Sequence, residues 1–346
     1  MIFQRNVWYV AAKSEDVDRQ LRRRTILNEP VLLYRTERGE VAAMQDLCPH
    51  RFAPLSRGTL FGDIVQCKYH GLRFDALGRC VHNPHGDVIT QRMHVRRYPT
   101  AERHGFIWIW MGDSAQAEPE RIPDLSYMDA PGTRTVHSYI KANYRYDILV
   151  DNLLDLSHAE YLHVGSFSAG PAACSKTSVN EERNDVFVVR TMQDGPSLPH
   201  LAHLGERIDQ TLNIHWRPGQ VMNFEIKSTP VGDPSSNGHR ARFSHIATPE
   251  TEGTTHYFMS TTRDYAIDDP KVDAEAALRQ VTVIQNEDGP MLDAINAEMH
   301  GMELMDMGPV LLPVDVGAIR VRRVMKRLID EEISGSQNSV SATRSR

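Results

Sequence analysis

The chain has 346 residues, 40% of them hydrophobic and 24% charged, with a formal net charge of -6 and a pI near 6.2. This mildly acidic balance gives no general attraction to nucleic acid or anionic lipid, and no apolar run approaches the length that spans a bilayer. Four cysteines, Cys48, Cys67, Cys80 and Cys174, are too few for a disulfide scaffold at this size, so thiolate chemistry is the better reading for any that stand in a motif.

The length exceeds a usual single core, which predicts two domains. The opening residues lack a basic stretch followed by a long apolar core, so a cytoplasmic protein is expected. Residues 1–115 read as β-rich. Val7 to Val10, Pro30 to Arg35, Val41 to Met44 and Phe106 to Trp110 are short, largely apolar runs, separated by turn signals at Arg38-Gly39, Gly62-Asp63, Leu77-Gly78 and His104-Gly105. Residues 116–134, with Pro119, Pro123 and Pro131, read as a linker. Residues 135–333 should form a second domain, with strands at Val186 to Arg190, Val221 to Ile226, Arg242 to Ala247 and Thr255 to Thr262. Lys271 to His300 predicts a long helix interrupted at Gly289-Pro290, and Gly317 to Ile333 a basic amphipathic one. Residues 334–346, rich in Ser, are expected to be disordered. The small residues from Gly165 to Thr177 suggest a lid or loop.

Cys48-Pro49-His50 and Cys67-Lys68-Tyr69-His70 are two loops, each offering one thiolate and one imidazole. Two Cys and two His can describe a zinc site, but these short loops in a compact β domain suit a Rieske [2Fe-2S] centre, in which two His replace two Cys on one iron. Arg51, Lys68 and Arg73 around these loops suggest a local basic patch for an acidic electron donor. Cys80 and Cys174 stand outside the motifs.

A second constellation lies at Asn152 to His163, where two imidazoles, two carboxylates and one carboxamide share twelve residues. Asn152, Asp155 and His158 are spaced to fall within a moderate arc of one helical face. His163 follows His158 by five residues, so both reach one ion only if the helix ends or widens between them. The two histidines read as ligands of one metal in need of a third. Asp155, almost one turn before His158, could accept the imidazole N–H with its carboxylate.

Cys48-Pro49-His50-Arg51, Cys67 to Leu72, Asn152 to His163 and Glu287-Asp288 together resemble the oxygenase component of Rieske non-haem iron oxygenases, over nearly the whole chain. Asn6 to Ala12, Thr248 to Glu252 and Val316 to Arg323 are similar to the branch containing vanillate and dicamba O-demethylases. The resemblance implies an α+β protein: an N-terminal antiparallel β Rieske domain, then a helix-grip domain in which an antiparallel sheet wraps a long helix. It implies a cluster on Cys48, His50, Cys67 and His70, and mononuclear Fe2+ on His158, His163 and Asp288, with Glu287 as the local competitor. Asn152 would sit near that iron. Asp155 would bridge to His70 of a neighbouring subunit in a head-to-tail homotrimer.

Asn223 and His245 coincide with substrate-contact positions of the branch, and Arg279 stands where it can carry an aromatic; there it would pair with a carboxylate or sulfonate. The implied activity is O2- and electron-dependent O-demethylation of a methoxylated aromatic acid, releasing formaldehyde. The alternatives are hydroxylation of a ring, methyl or alicyclic carbon, and, from another class, a Rieske electron-transfer protein, against which the second domain argues. No G-x-G-x-x-G motif is present, so a separate reductase or ferredoxin is the expected electron donor.

Overall fold

The computed structural model describes residues 3–163, 175–197, 199–235 and 238–344. The suggested lid lies outside them up to residue 174, as does Cys174. The chain divides into two compact units, one of Arg5–Ile122 and one that gathers residues 3–4 with the chain from Pro123 onward.

The first unit is antiparallel β throughout. β1 (Trp8–Lys13), β10 (Phe106–Trp110) and β9 (Thr100–Arg103) form one sheet, and β2 (Arg22–Ile26), β3 (Glu29–Arg35) and β4 (Val41–Gln45) a second. β5 (Thr59–Phe61), β6 (Ile64–Gln66), β7 (Arg73–Phe74) and β8 (Cys80–His82) form the third. Its apolar runs are buried on both faces: Val31 to Tyr34 and Phe106 to Trp110 are almost fully covered. Cys48, Cys67 and Cys80 share a core cluster with Leu32, Tyr34, Met44, Leu55, Val65 and Phe74.

The presumed linker is packed rather than loose. Residues up to Ile122 belong to the first unit, where the Trp8 indole N–H donates to Glu118 O at 2.9 Å, and those from Pro123 to the second. Ile122, Leu125 and Met128 recur at helical spacing and are buried. The prolines punctuate short 3-10 turns at Pro119–Arg121 and Ser126–Met128 instead of keeping the chain extended.

The second unit is a seven-stranded antiparallel sheet with helices. The strands are β11 (Arg134–Ala142), β12 (Ser175–Glu182), β13 (Asp185–Pro196), β14 (Arg207–Arg217), β15 (Val221–Pro230), β16 (His239–Pro249) and β17 (Thr255–Arg263), in the order β11-β17-β16-β15-β14-β13-β12. α1 (Tyr146–Leu154) and α2 (Ala159–Leu162) follow β11. α3 (Pro270–Val283) runs through a π turn at Ile284–Asp288 into α4 (Gly289–Glu298), so the expected interruption occurs and takes the form of a widened turn. The Ser138 hydroxyl donates to Ala277 O at 3.4 Å and the Gln280 amide to the Thr261 hydroxyl, which seats α3 on one face of the sheet. This is the helix-grip arrangement.

The last helix, α5, spans Val316–Arg344 and so continues through the expected disordered tail as far as Arg344. Once the turns before Ser334 are nucleated, each further polar residue costs only a few tenths of a kcal/mol in propensity, and no proline stops it. Among the described residues no helix is long and apolar enough to cross a membrane.

α1 is fixed to α5 by a charge network. Arg145 forks onto Asp147 with two 2.9 Å bonds, and Arg322 of α5 reaches Asp147 at 3.0 Å and Asp151 at 2.5 Å. Burial would raise the Asp147 carboxyl, but the two guanidinium groups hold it below its ordinary value. Breaking such a pair leaves an uncompensated charge. Arg322→Leu is therefore expected to destabilise the protein by about 3 kcal/mol or more. Denaturant unfolding checks this, and a loss under about 1 kcal/mol would show that the network does not hold α1.

Candidate metal centres

Two loops of the first unit carry the Cys-His pairs: Cys48 and His50 between β4 and β5, Cys67 and His70 between β6 and β7. They close in the same way. The amide of each cysteine donates to a carbonyl five residues on (Cys48 to Ala53, 2.9 Å; Cys67 to Leu72, 2.8 Å). The amide four residues on donates back (Phe52 to Cys48, 2.8 Å; Gly71 to Cys67, 3.0 Å). The fifth residue of each knuckle has positive φ, +76° at Gly71 and +56° at Phe52. The left-handed conformation is natural for glycine and uncommon for phenylalanine, so the first knuckle carries backbone strain.

The knuckles bury both thiols and leave His50 exposed and His70 half-exposed, their rings 4.4 Å apart. Burial pushes the Cys48 thiol up to about 11 and the adjacent Cys67 thiol adds to this, against the amides of His50 and Arg51, which favour the thiolate. The two sulfurs lie side by side in the core. With two neighbouring imidazoles, this donor set fits a [2Fe-2S] cluster with mixed ligands. His85, outside the sequence motifs, places Nε2 3.0 Å from His70 O and braces the second loop. Of the suggested basic patch, Arg51 and Lys68 are exposed, while Arg73 is tied to Gln66 at 2.8 Å. Cys80 is buried with Sγ 3.6 Å from His82 O.

In the second unit, α1 stops at Leu154 and Asp155 turns extended (φ -117°, ψ 100°) before a 3-10 turn at Leu156–His158 leads into α2. Asn152, Asp155 and His158 therefore do not share one helical face. The break instead lets His158 and His163, at the two ends of α2, turn toward each other. Their Nε2 atoms are 3.2 Å apart, and each is 3.3 Å from Asp288 Oδ1. The three ligand atoms form a near-equilateral triangle, and Asp288 and His163 are almost fully buried.

The π turn aims Asp288 at this triangle. Gly289 N–H closes it on Ile284 O, and a Cβ at 289 would stand 2.7 Å from that oxygen, so glycine belongs there. Burial would raise the Asp288 carboxyl, but hydrogen bonding with His158, His163 and Asn152 holds it well below the usual carboxylate range. Burial opposes charge on His163, yet Asp288 and Glu287 together raise its imidazole. Two imidazoles and one carboxylate converging on one point fit mononuclear Fe2+.

Each group of the triangle is steadied from behind. Asn152 Nδ2 donates to Asp288 Oδ1 at 3.1 Å. Glu287 does not compete with Asp288; its Oε2 takes the far nitrogen of His163, Nδ1, at 2.6 Å. The expectation that the Asp155 carboxylate accepts from His158 does not hold. His158 Nδ1 bonds the Asp155 main-chain carbonyl at 2.6 Å, and the carboxylate accepts from Ser157 N at 2.8 Å and Ser157 Oγ at 3.0 Å, capping the turn.

His245 and Asn223 fall on opposite faces of the sheet. In the register His245 pairs with Met222 and Met259, and Met259 with Ser138, which places His245 on the face that carries α3. Asn223 pairs with Ser244 and bonds it at 2.8 Å on the other face, where Tyr127 joins them at 2.5 Å. Phe224, not Asn223, lies against His245, with ring centroids 4.7 Å apart. Tyr257 also escaped the sequence reading; its hydroxyl bonds His245 Nδ1 at 2.6 Å. Arg279 is exposed on α3, outside the contacts that Ala277 and Gln280 make with the sheet.

Comparison with known proteins agrees with this architecture. Residues 7–99 match the Rieske [2Fe-2S] domain, and residues 140–331 match the vanillate O-demethylase oxygenase C-terminal domain. The dicamba O-demethylase oxygenase component of Stenotrophomonas maltophilia is 38% identical over 95% of this chain and 98% of its own. A toluene-4-sulfonate monooxygenase iron-sulfur subunit of Comamonas testosteroni is 34% identical over 97% and 99%. The crystal structure of dicamba monooxygenase bound to dicamba aligns with a TM-score of 0.88 at 38% identity, covering 96% of this chain and all of that one.

Two outcomes are expected. Glu287→Gln should weaken Fe2+ binding about 10- to 100-fold without bleaching the cluster, read by metal titration of apoprotein; unchanged affinity would deny Glu287 a part in holding His163. His245 is lowered by burial from 6.5 to about 4, with Asp288 opposing the shift. The unfolded chain thus takes up its proton first as pH falls. The stability due to neutral His245 is complete above pH 6.5 and drains away between 6.5 and about 4. His245→Phe should flatten the unfolding midpoint over that window relative to the parent, and an identical slope would mean that the ring is not held neutral.

Proposed function

The chain belongs to the Rieske non-haem iron oxygenases, in the group with the vanillate O-demethylase oxygenase C-terminal domain, and from that premise we propose that it O-demethylates a methoxylated aromatic acid. It is the terminal oxygenase component of an O-demethylase-type system, a monooxygenase with a Rieske [2Fe-2S] cluster and mononuclear Fe2+, supplied with electrons by a reductase or ferredoxin partner. The observation that carries the demethylation reading is the 38% identity, nearly end to end, to the dicamba O-demethylase component. A second reading, hydroxylation of an aromatic methyl group without loss of formaldehyde, draws support from the toluene-4-sulfonate relative.

In this reading Cys48, His50, Cys67 and His70 would hold the cluster, and His158, His163 and Asp288 the iron, whose chemistry when bound is oxidation of a substrate carbon by O2. The chain's own contribution is orientation. Asn152, Glu287 and the Asp155 carbonyl fix the three ligand groups, and neutral His245, gripped at Nδ1 by Tyr257, offers Nε2 to a polar substituent. One O2, two electrons and two protons turn the methyl ether into a hemiacetal and water; the hemiacetal then splits into a phenol and formaldehyde.

We assign the protein to the cytoplasm and to a head-to-tail homotrimer in which Asp155 couples His158 to His70 of the partner subunit. The partial exposure of Asp155 and His70 supports this, as does the direct link from Asp155 through its carbonyl to His158.

With a reductase partner and methoxybenzoates, O2 uptake should be matched by formaldehyde. A benzylic alcohol from the matching methylbenzoates, with no formaldehyde from any methoxy compound, would favour the second reading. In the same assay Asp155→Asn, which keeps an oxygen for the Ser157 amide, should retain both metal centres yet turn over at least about tenfold more slowly. Parental turnover would remove the bridge.

A further inference from the structure

The helical backbone from Pro270 to Glu298 runs on through the π turn at Ile284–Asp288, and Pro290 stands inside it. Proline disfavours a helix interior. It has no N–H to give the carbonyl four residues back, here that of Asn286, and its ring presses on that carbonyl. Pro290 is exposed, so packing against a core does not account for it. Gly289 beside it is buried, and glycine too weakens a helix interior. Two successive residues that oppose an α-helix therefore follow directly on Asp288, the carboxylate of the histidine triangle.

Both favour the wider turn. In it the Gly289 N–H reaches back five residues to Ile284 O, and a Cβ at 289 would stand 2.7 Å from that oxygen. An α turn, which closes four residues back on Gln285, accepts alanine better than glycine, so glycine serves the π form and works against the α form. Pro290 works against the α turn over Asn286 in the same sense. One residue occupies about 100° of an α-helix, so the extra residue of the π turn redirects the side chains around it by an angle of that order. So directed, Glu287 and Asp288 reach the two nitrogens of the His163 ring at 2.6 and 3.3 Å, and Asp288 also reaches His158 at 3.3 Å.

We propose that Gly289 and Pro290 are positioning residues for the metal. They deny the helix its α register, and so hold Asp288 and Glu287 in the orientation that completes the triangle, at a cost in helix stability. This rests on the reading of His158, His163 and Asp288 as the Fe2+ ligands.

Pro290→Ala and Gly289→Ala test the assignment in holoprotein from which a chelator has removed the mononuclear iron. The readouts are Fe2+ titration, melting of the apoprotein and absorption of the cluster. Pro290→Ala restores a good helix former, so its apoprotein should melt about 2 °C or more above the parent. Its Fe2+ affinity should nevertheless fall about tenfold, with the cluster spectrum unchanged. Gly289→Ala should melt lower and also bind Fe2+ more weakly. Adding Pro290→Ala to it should bring the melting temperature back to the parent's without restoring Fe2+ binding, because the doubly substituted helix can close in the α register. A purely structural role would move stability and affinity in the same direction. Fe2+ affinity within about twofold of the parent in both single variants would overturn the proposal, as would a Pro290→Ala apoprotein that melts at or below the parent. A parent apoprotein that takes up no Fe2+ would defeat the iron reading itself.

Discussion

The second unit is arranged around one electrostatic demand: a buried carboxylate, Asp288, has to stand 3.3 Å from two imidazole nitrogens that lie far from it in the chain. An unpaired carboxylate would not remain ionised at that depth. The fold meets the demand with local irregularities on both sides. α1 breaks at Asp155 so that the short α2 presents His158 and His163 from its two ends, and the helix beginning at Pro270 widens into a π turn that sets Asp288 facing them. Gly289 closes that turn where a side chain would press on Ile284 O. The Arg322 network then holds the broken helix against α5, so that the break does not loosen the site.

The two centres solve opposite problems. In the first unit the sulfurs are the buried groups: Cys48 and Cys67 sit in the core, held by paired knuckles, while the imidazoles are the more exposed. In the second unit His163 and Asp288 are both covered, and each donor is braced by a different chemistry. A carboxylate stands behind His163, a main-chain carbonyl behind His158 and a carboxamide beside Asp288. A main-chain carbonyl behind His158 and a carboxylate behind His163 give the two imidazoles different surroundings although the sequence presents them alike.

How much of this can be read from the sequence depends on whether the information sits in side-chain identity. The thiols and imidazoles of the two knuckles, and His158 with His163, stand in short motifs, whereas Asp288 is placed only by the family resemblance; the strands of the first unit follow from the apolar runs. The role of Asp155 could not be read there, because the atom that meets His158 is a backbone oxygen and any residue type carries one. The same holds for Phe52, whose left-handed backbone does what Gly71 does visibly. β14 alternates Ile208, Leu212, Ile214 and Trp216 inward, a signal that was available, whereas β12 is polar along most of its length and is a strand only because β13 pairs with it. The packed segment around Ile122 and the continuation of α5 past Ser334 show local composition overridden by tertiary contacts in one case and by helix propagation in the other.

The misplacement of Asn223 follows from strand geometry. In a strand a one-residue difference exchanges the faces, so choosing between Asn223 and Phe224 as the neighbour of His245 requires the register across the hairpin that joins β15 to β16. That loop spans Pro230 to His239, too long for a turn type to set the register, and the resemblance to the branch favoured the asparagine. The observed pairing puts Phe224 against His245 and removes the amide to the far face, with Ser244 and Tyr127. On the face that carries α3, His245 therefore lies between the Phe224 ring and the Tyr257 hydroxyl, so its polar neighbour there is a phenol and its other neighbour is apolar. The choice between the two residues is thus made by pairing across the sheet and not by the polarity of either side chain.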